Sequence, residues 1–162
     1  MENRSFQNEK DRSAADTTHS EVSRAGQEVL PRQQKLTKVL VVEDDLSLWP
    51  FWENVLRSTI PRVEIDWETT ERAAESLLKH RFQRNSPYDL VISDIFLEGH
   101  ETGIDLWNRY GEAAKNFIFV SGMPMSKFDS LMSLNFGYPV YLQKPLSVKQ
   151  CRDIVSAIFK PK

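Results

Sequence analysis

The stretch Val39-Leu40-Val41-Val42-Glu43-Asp44-Asp45 joins four consecutive apolar residues to three consecutive acids. A short run rich in β-branched residues is typical of a strand that is buried on both faces of a parallel sheet. Acids that directly follow such a strand lie at its carboxyl end, where open α/β sheets bind their ligands. This stretch therefore predicts both a parallel sheet and an acidic site at one edge of it.

Three further short apolar runs end on a polar residue of a definite kind. Leu90–Ser93 is followed by Asp94, Phe117–Val120 by Ser121, and Val140–Gln143 by Lys144. If all four runs are parallel strands of one sheet, their polar ends meet at the same edge. Carboxylates beside a hydroxyl and a lysine suit a divalent metal and a phosphoryl group.

Between these runs the apolar residues recur at helical spacing, which predicts a doubly wound α/β fold in which five strands alternate with five helices. We expect strands near residues 38–43, 63–67, 90–94, 116–120 and 139–143. The first helix is expected over 46–59, with either Asp45 or Ser47 as its cap and Pro50 in its first turn. The second helix is expected after the second strand. The other three are expected over 104–110, 126–134 and 147–159, the last of them capped by Ser147.

The composition limits the classes of protein that the chain can belong to. With 162 residues, 40% of them hydrophobic, it can bury one core of ordinary size. A formal charge of −2 gives no general attraction to nucleic acid or to an anionic membrane. The sequence has no stretch of about 20 apolar residues and no apolar signal segment, so a cytoplasmic location is expected. Its single cysteine, Cys151, recurs at helical spacing with apolar residues and is expected to be buried.

The composition changes near Leu36. Residues 1–35 are rich in polar side chains and hold few large apolar ones, so they cannot bury enough area to offset the entropy of ordering. We expect this segment to be a flexible, disordered tail, and residues 36–162 to form the folded domain.

The motifs VLVVEDD, DLVISD, FVSG and YLQKP, taken in this order, resemble those of the response-regulator receiver domains of two-component signalling. The resemblance extends over about residues 36–160 and implies a flavodoxin-like sheet with strand order 2-1-3-4-5. It also implies that Asp94 accepts a phosphoryl group from a phosphohistidine. Asp44, Asp94 and the carbonyl of Phe96 would bind Mg²⁺, or alternatively Mn²⁺, and Glu43 would act through water.

The resemblance implies roles for the ends of the last two strands as well. Lys144 would pair with a phosphoryl oxygen, and a cis peptide at Pro145 would fix its direction. Ser121 would move to the phosphate while Tyr141 turns inward. A hydroxyl in an ordinary turn and a half-buried strand tyrosine are the alternatives for these two residues.

The signal would then be read from the surface of the fourth helix, fifth strand and fifth helix. Aromatic residues in or near that surface could contact a partner or could simply fill the core: Phe128, Phe136, Tyr138 and Tyr141. The implied partners are a sensor histidine kinase or a histidine phosphotransfer protein, together with a downstream protein target. Because the sequence ends at Lys162, we expect a stand-alone receiver that is not an enzyme. Whether phosphorylation drives homodimer formation is left open.

Two features depart from the usual receiver pattern. The loop after Asp94 reads IFLEGHETG, with Glu98 where many receivers have a proline, and it carries His100 and Glu101. This loop could alter the access of a kinase or the lifetime of the aspartyl phosphate. Trp49 lies in the first turn of the first helix, on its outer side, and is a candidate docking residue unless it packs against a neighbouring loop or the N-terminal tail.

Two other functions remain as alternatives. The first is a receiver-shaped scaffold that binds partners without phosphorylation. The second is a metal-dependent phosphohydrolase, which would need a further acid or base in the pocket, and the first acidic strand lacks an Asp-x-Asp pattern. Phosphorylation by acetyl phosphate in the presence of Mg²⁺ would favour the switch over both alternatives.

Overall fold

The structure is a computed structural model that describes residues 35–97, 102–132 and 139–160. Within these ranges, five parallel strands form one sheet in the order β2-β1-β3-β4-β5. The strands are β1 (Thr37–Val42), β2 (Val63–Glu68), β3 (Leu90–Asp94), β4 (Phe117–Ser121) and β5 (Val140–Gln143). The predicted flavodoxin-like strand order is therefore confirmed.

The helices of the described residues follow the strands in alternation. They are α1 (Trp49–Thr59), α2 (Glu71–Gln83), α3 (Gly103–Tyr110), α4 (Met125–Met132) and α5 (Val148–Phe159). The first predicted helix is divided, because Asp45 caps a separate 3₁₀ turn over Leu46–Leu48 before α1 begins with Pro50 in its first turn. Ser147 caps α5, as predicted. Every helix in the described ranges is too short or too polar to span a membrane.

The side chains of β1 alternate between two cores, one on each face of the sheet. Leu40 and Val42 pack on the side covered by α2, α3 and α4, whereas Val39 and Val41 pack on the side covered by α1 and α5. All four are fully buried, which explains why this strand is apolar at every position rather than at every second one. Burial on both faces fixes the register of β1 and so fixes where the acids after it lie.

Cys151 lies in the α1–α5 core, as predicted, and burial raises the pKa of its thiol to about 11. Several predictions concern residues outside the described ranges. These are the predicted tail over residues 1–35, of which only Lys35 is described, the roles of Glu98, His100 and Glu101, and the contact residues Phe136 and Tyr138.

Candidate functional site

The acidic residues meet where β1 and β3 end side by side. The register pairs Val42 with Ser93, so the residues that follow them, Glu43 and Asp94, are neighbours at the carboxyl edge of the sheet. Carboxylate oxygens of Glu43, Asp44 and Asp94 all lie within 4.8 Å of one another. Glu43 is only 2% exposed and Asp94 only 7%, so these two acids are buried in the edge, while Asp44 is half-buried.

Lys144, the residue that follows β5, points into this cluster. Its Nζ donates to Asp94 Oδ2 at 2.6 Å and to both carboxylate oxygens of Glu43, at 2.9 Å and 3.1 Å. Its backbone amide donates to the carbonyl oxygen of Ser121 at 2.8 Å, which ties the start of this loop to the end of β4. The peptide bond between Lys144 and Pro145 is cis.

Burial and pairing act against each other in this cluster. Burial raises the pKa of Glu43 above its ordinary value, although the hydrogen bonds from Lys144 act in the opposite direction. For Lys144, burial alone would lower the pKa, but hydrogen bonds to Asp94 and Glu43 raise it above its ordinary value. The lysine therefore stays charged at neutral pH, and its ammonium compensates part of the repulsion among the acids.

The backbone around Asp94 holds its carboxylate in place. The amide of Phe96 donates to Asp94 Oδ1 at 3.0 Å, while Oδ2 accepts from Lys144. The amide of Gly103, the first residue of α3, donates to the carbonyl oxygen of Ile95 at 3.0 Å. A Cβ at Gly103 would lie 2.2 Å from the carbonyl oxygen of Asp94, so only glycine allows α3 to start this close to the site.

Ser121 and Tyr141 are joined to each other and to the loop that follows β4. The Ser121 hydroxyl accepts from the amide of Met123 at 3.3 Å, which is the turn contact that the sequence left as the alternative. The Tyr141 hydroxyl donates to the carbonyl oxygens of Ser121 and Met123, and its ring stacks on Phe128 with centroids 4.3 Å apart. Tyr141 is thus packed inward against α4 in this structure.

Two further predictions about the site edge can be compared with the structure. Asp45 is a cap, as predicted, and hydrogen bonds with Ser47 lower the pKa of its carboxyl. Trp49 is half-buried rather than fully exposed, because its ring packs edge-to-face on Trp67 of β2 with centroids 5.2 Å apart. Its role in docking stays a prediction.

Of the two roles left open for Phe128, the structure shows the core one, because α4 turns this side chain fully into the core, where it also packs on Phe119. Nothing in the sequence singles out the Phe96 amide or the close approach of Gly103 to the backbone of Asp94. A glycine between the site loop and an apolar helix was the one available signal for the latter.

The arrangement has the chemistry of a site for a divalent cation and an anionic group. Carboxylate oxygens are hard ligands of the kind that Mg²⁺ prefers, and the ammonium of Lys144 can pair with an anion placed next to Asp94. The structure therefore brings together four of the predicted site residues, Glu43, Asp44, Asp94 and Lys144, and places Ser121 at the end of the adjoining strand.

Response regulators and receiver domains are among the known proteins to which the chain is similar. No family model matches the chain. The response regulator ArlR of Staphylococcus saprophyticus is 22% identical over 125 residues, which cover 77% of this chain and 53% of that protein. The chain thus spans about half the length of the curated relative it matches.

Solved structures with the same fold include several receivers. The non-phosphorylated HemR receiver domain from Leptospira biflexa matches with a TM-score of 0.62 and 23% identity, covering 78% of this chain and 96% of that one. A CheY-like response regulator receiver domain protein from Methanospirillum hungatei matches with a TM-score of 0.57 and 25% identity, covering 76% and 93%. These likenesses, together with the strand order, support a receiver domain.

Proposed function

We propose that this chain is a phosphorylation-dependent signalling switch in which Asp94 accepts a phosphoryl group from a phosphohistidine. The observation that carries the proposal is the meeting of three acids and one lysine at the carboxyl edge of the sheet, with Lys144 Nζ 2.6 Å from Asp94 Oδ2. Relatives that are response regulators support the same proposal.

The donor set of the site fits a hard divalent cation. Asp44 and Asp94, with the backbone carbonyl of Phe96, would hold Mg²⁺ or Mn²⁺ directly, and Glu43 would contribute through water. The cation supplies positive charge that offsets the negative charge on the phosphoryl oxygens during transfer. The acids repel one another when ionised, and Lys144 offsets only part of this repulsion. Binding a divalent cation would therefore stabilise the site.

In the proposed transfer, a carboxylate oxygen of Asp94 attacks the phosphorus of the phosphohistidine. The new P–O bond forms as the P–N bond breaks, and the electron pair of the broken bond stays on the imidazole nitrogen. Lys144 would then exchange its contact with Asp94 Oδ2 for one with a phosphoryl oxygen while keeping Glu43 as its partner. The chain serves as phosphoacceptor in this reaction and has no turnover of its own beyond slow self-dephosphorylation.

The switch would operate through the loop that joins β4 to α4. A phosphoryl group adds about 1.5 to 2 negative charges and new acceptor oxygens to the site. The Ser121 hydroxyl would leave the amide of Met123 and donate to one of these oxygens. Because the Tyr141 hydroxyl bonds to the carbonyl oxygens of both residues, that movement reaches β5 and the surface of α4 and α5, where a downstream protein target would bind.

Phosphoryl loading tests the proposal directly. Purified chain is incubated with acetyl phosphate and Mg²⁺, and the intact mass is measured. We expect one phosphoryl group on the wild type and on Asp45→Asn, which keeps a capping side chain next to the cluster. We expect none on Asp94→Asn and little on Asp44→Asn. A wild type that stays unmodified at saturating acetyl phosphate would contradict the proposal and favour a scaffold that works without phosphorylation.

A further inference from the structure

A cleft opens at the amino end of the sheet, opposite the end that carries the acids. The last turns of α1 and α5 line it, together with the start of β1 and the loop that joins α1 to β2. Its volume is about 460 Å³, which lies within the range of about 300–1,000 Å³ that is typical of sites for small organic ligands. We call it the basal cleft; its lining residues are Lys35, Thr37, residues 59–62, Ser156, Phe159 and Lys160.

The charged side chains that line the basal cleft are all of one sign. Among the described residues around it, Lys35, Arg62 and Lys160 are cationic and none is acidic. An adjoining depression shares Arg62 with the cleft and adds Arg57. The whole chain has a formal charge of −2, so this concentration of positive charge is not a general property of the molecule.

The helix ends account for only part of this charge. Cations are common at the C-terminus of a helix, where they offset the partial negative charge of the last carbonyl groups, and Lys160 has this position in α5. Lys35 precedes β1 and Arg62 belongs to a loop, so neither is explained in this way. Lys35 pairs with Asp89 at 3.4 Å, but Asp89 also pairs with Lys115 at 2.6 Å, so two ammonium groups share one carboxylate.

The basal cleft also offers apolar surface to a ligand. Ile60, which is only 4% exposed, and the half-buried Phe159 both belong to the α1–α5 core and both line the cleft, together with Pro61. Thr37 and Ser156 add hydroxyl groups that can donate hydrogen bonds to an acidic group. An apolar body could therefore be buried against the core residues while an acidic group on it meets the cations.

We infer that the basal cleft binds a small amphipathic anion, that is, a carboxylate or phosphate group on an aromatic or alkyl body. An inorganic anion would leave the apolar surface in water, and an uncharged apolar ligand would make no use of the cations. The six residues of β1 separate the cleft from the acids by roughly 17 Å at the usual rise of a strand. The inference therefore does not depend on the proposed function of Asp94.

NMR titration of the full chain, labelled with ¹⁵N, tests the inference. Naphthoate and naphthyl phosphate are the amphipathic probes, whereas naphthalenemethanol lacks the charge and inorganic phosphate lacks the apolar body. EDTA is present throughout, so that no divalent cation draws an anion to Asp94. We expect both amphipathic probes to shift the amide signals of residues that line the cleft, such as Thr59 and Lys160. Each should bind at least about tenfold more tightly than either control probe.

Reversing one charge of the basal cleft separates it from the rest of the surface. Lys160→Glu should weaken the binding of naphthoate about tenfold, because a repulsive charge replaces an attractive one, and should not change the binding of naphthalenemethanol. Arg62→Gln, which removes a charge without reversing it, should weaken naphthoate about threefold. Lys79 is the matched control, because it is exposed near the end of α2 on the other face of the sheet, and Lys79→Glu should bind every probe as the wild type does.

Three results would overturn the inference. The first is naphthalenemethanol that binds as tightly as naphthoate, which would mean that the cleft does not recognise charge. The second is equal affinity of Lys160→Glu and wild type for naphthoate. The third is that the amphipathic probes shift no amide signals of the cleft residues. No step of this experiment requires phosphorylation, so its failure would leave the proposed function intact, and an Asp94 that accepts no phosphoryl group would leave the basal cleft intact.

Discussion

Replacing Gly103 by alanine should destabilise the protein, although alanine is the better helix former. Gly103 begins α3, and its Cα faces the end of β3 so closely that a Cβ would lie 2.2 Å from the carbonyl oxygen of Asp94 and 2.7 Å from the hydroxyl oxygen of Ser93. The first of these atoms belongs to the backbone of a buried strand and cannot rotate away. Either α3 or the end of β3 must therefore move.

The size of the effect follows from three contributions. Forcing a methyl group into packed surroundings costs about 1–3 kcal/mol, and the rigid neighbour favours the upper half of that range. Moving α3 also weakens the 3.0 Å hydrogen bond from the Gly103 amide to the carbonyl of Ile95, which costs about 1 kcal/mol. The better helix propensity of alanine returns about 0.5–1 kcal/mol. The net loss is about 2–3.5 kcal/mol, or a decrease in Tm of roughly 6–14 °C for a domain of this size.

Urea denaturation of wild type, Gly103→Ala and Gly122→Ala measures this loss. Gly122 is the matched control, because a Cβ there would meet nothing within 4 Å, and its replacement should change the free energy of unfolding by no more than about 0.5 kcal/mol. If Gly103→Ala is as stable as Gly122→Ala, the close approach of α3 to Asp94 is refuted, and with it the account of how the site is held.

Three further outcomes are expected. Burial alone would raise the pKa of Asp89, but hydrogen bonds from the Lys115 ammonium and a backbone amide lower it. Ionised Asp89 therefore stabilises the fold above the unfolded-chain pKa of about 3.9. This stability is lost as the pH falls through the lower folded pKa. Asp89→Asn should therefore lose about 1 kcal/mol at pH 7, and its difference from the wild type should shrink as the pH falls below about 3.9, as measured by urea denaturation. The Cys151 thiol should react with Ellman's reagent at pH 8 only after denaturation, because burial raises its pKa to about 11; rapid reaction of the native chain would contradict this. Tyr88→Phe should cost about 1–2 kcal/mol of unfolding free energy, because it leaves the Asp66 carboxylate without the hydroxyl that donates to it at 2.6 Å; a neutral effect would mean that water replaces that hydroxyl.

The sheet and the acidic cluster could be predicted because the pattern that specifies them is local. Each buried strand is a continuous apolar run, and each functional residue follows such a run directly, so placing the strands also places Glu43, Asp94 and Lys144. Parallel pairing then brings residues together that are fifty or more positions apart. No contact had to be inferred from side-chain shape.

The sequence could not decide how side chains pack between elements. Periodicity places Trp49 on the outer side of its helix, but it cannot reveal that Trp67 on the neighbouring strand is close enough to pack on it. Phe128 has a helical position compatible with either surface or core, and the choice depends on Phe119 and Tyr141 beneath α4. The division of the first helix was also missed, because Asp45 and Ser47 both have capping side chains and only the observed 3₁₀ turn selects between them.

The location of the phosphoryl group on the chain is the most direct measurement of the central claim. After incubation with acetyl phosphate and Mg²⁺, borohydride reduces an acyl phosphate to an alcohol, and peptide mass spectrometry then identifies the modified residue. The account predicts that the side chain of residue 94 is reduced, and that omitting the divalent cation abolishes the modification. A phosphoryl group found on another residue, or loading that is equally fast without a divalent cation, would contradict the claim that Asp94 and its neighbouring acids form one metal-dependent acceptor site.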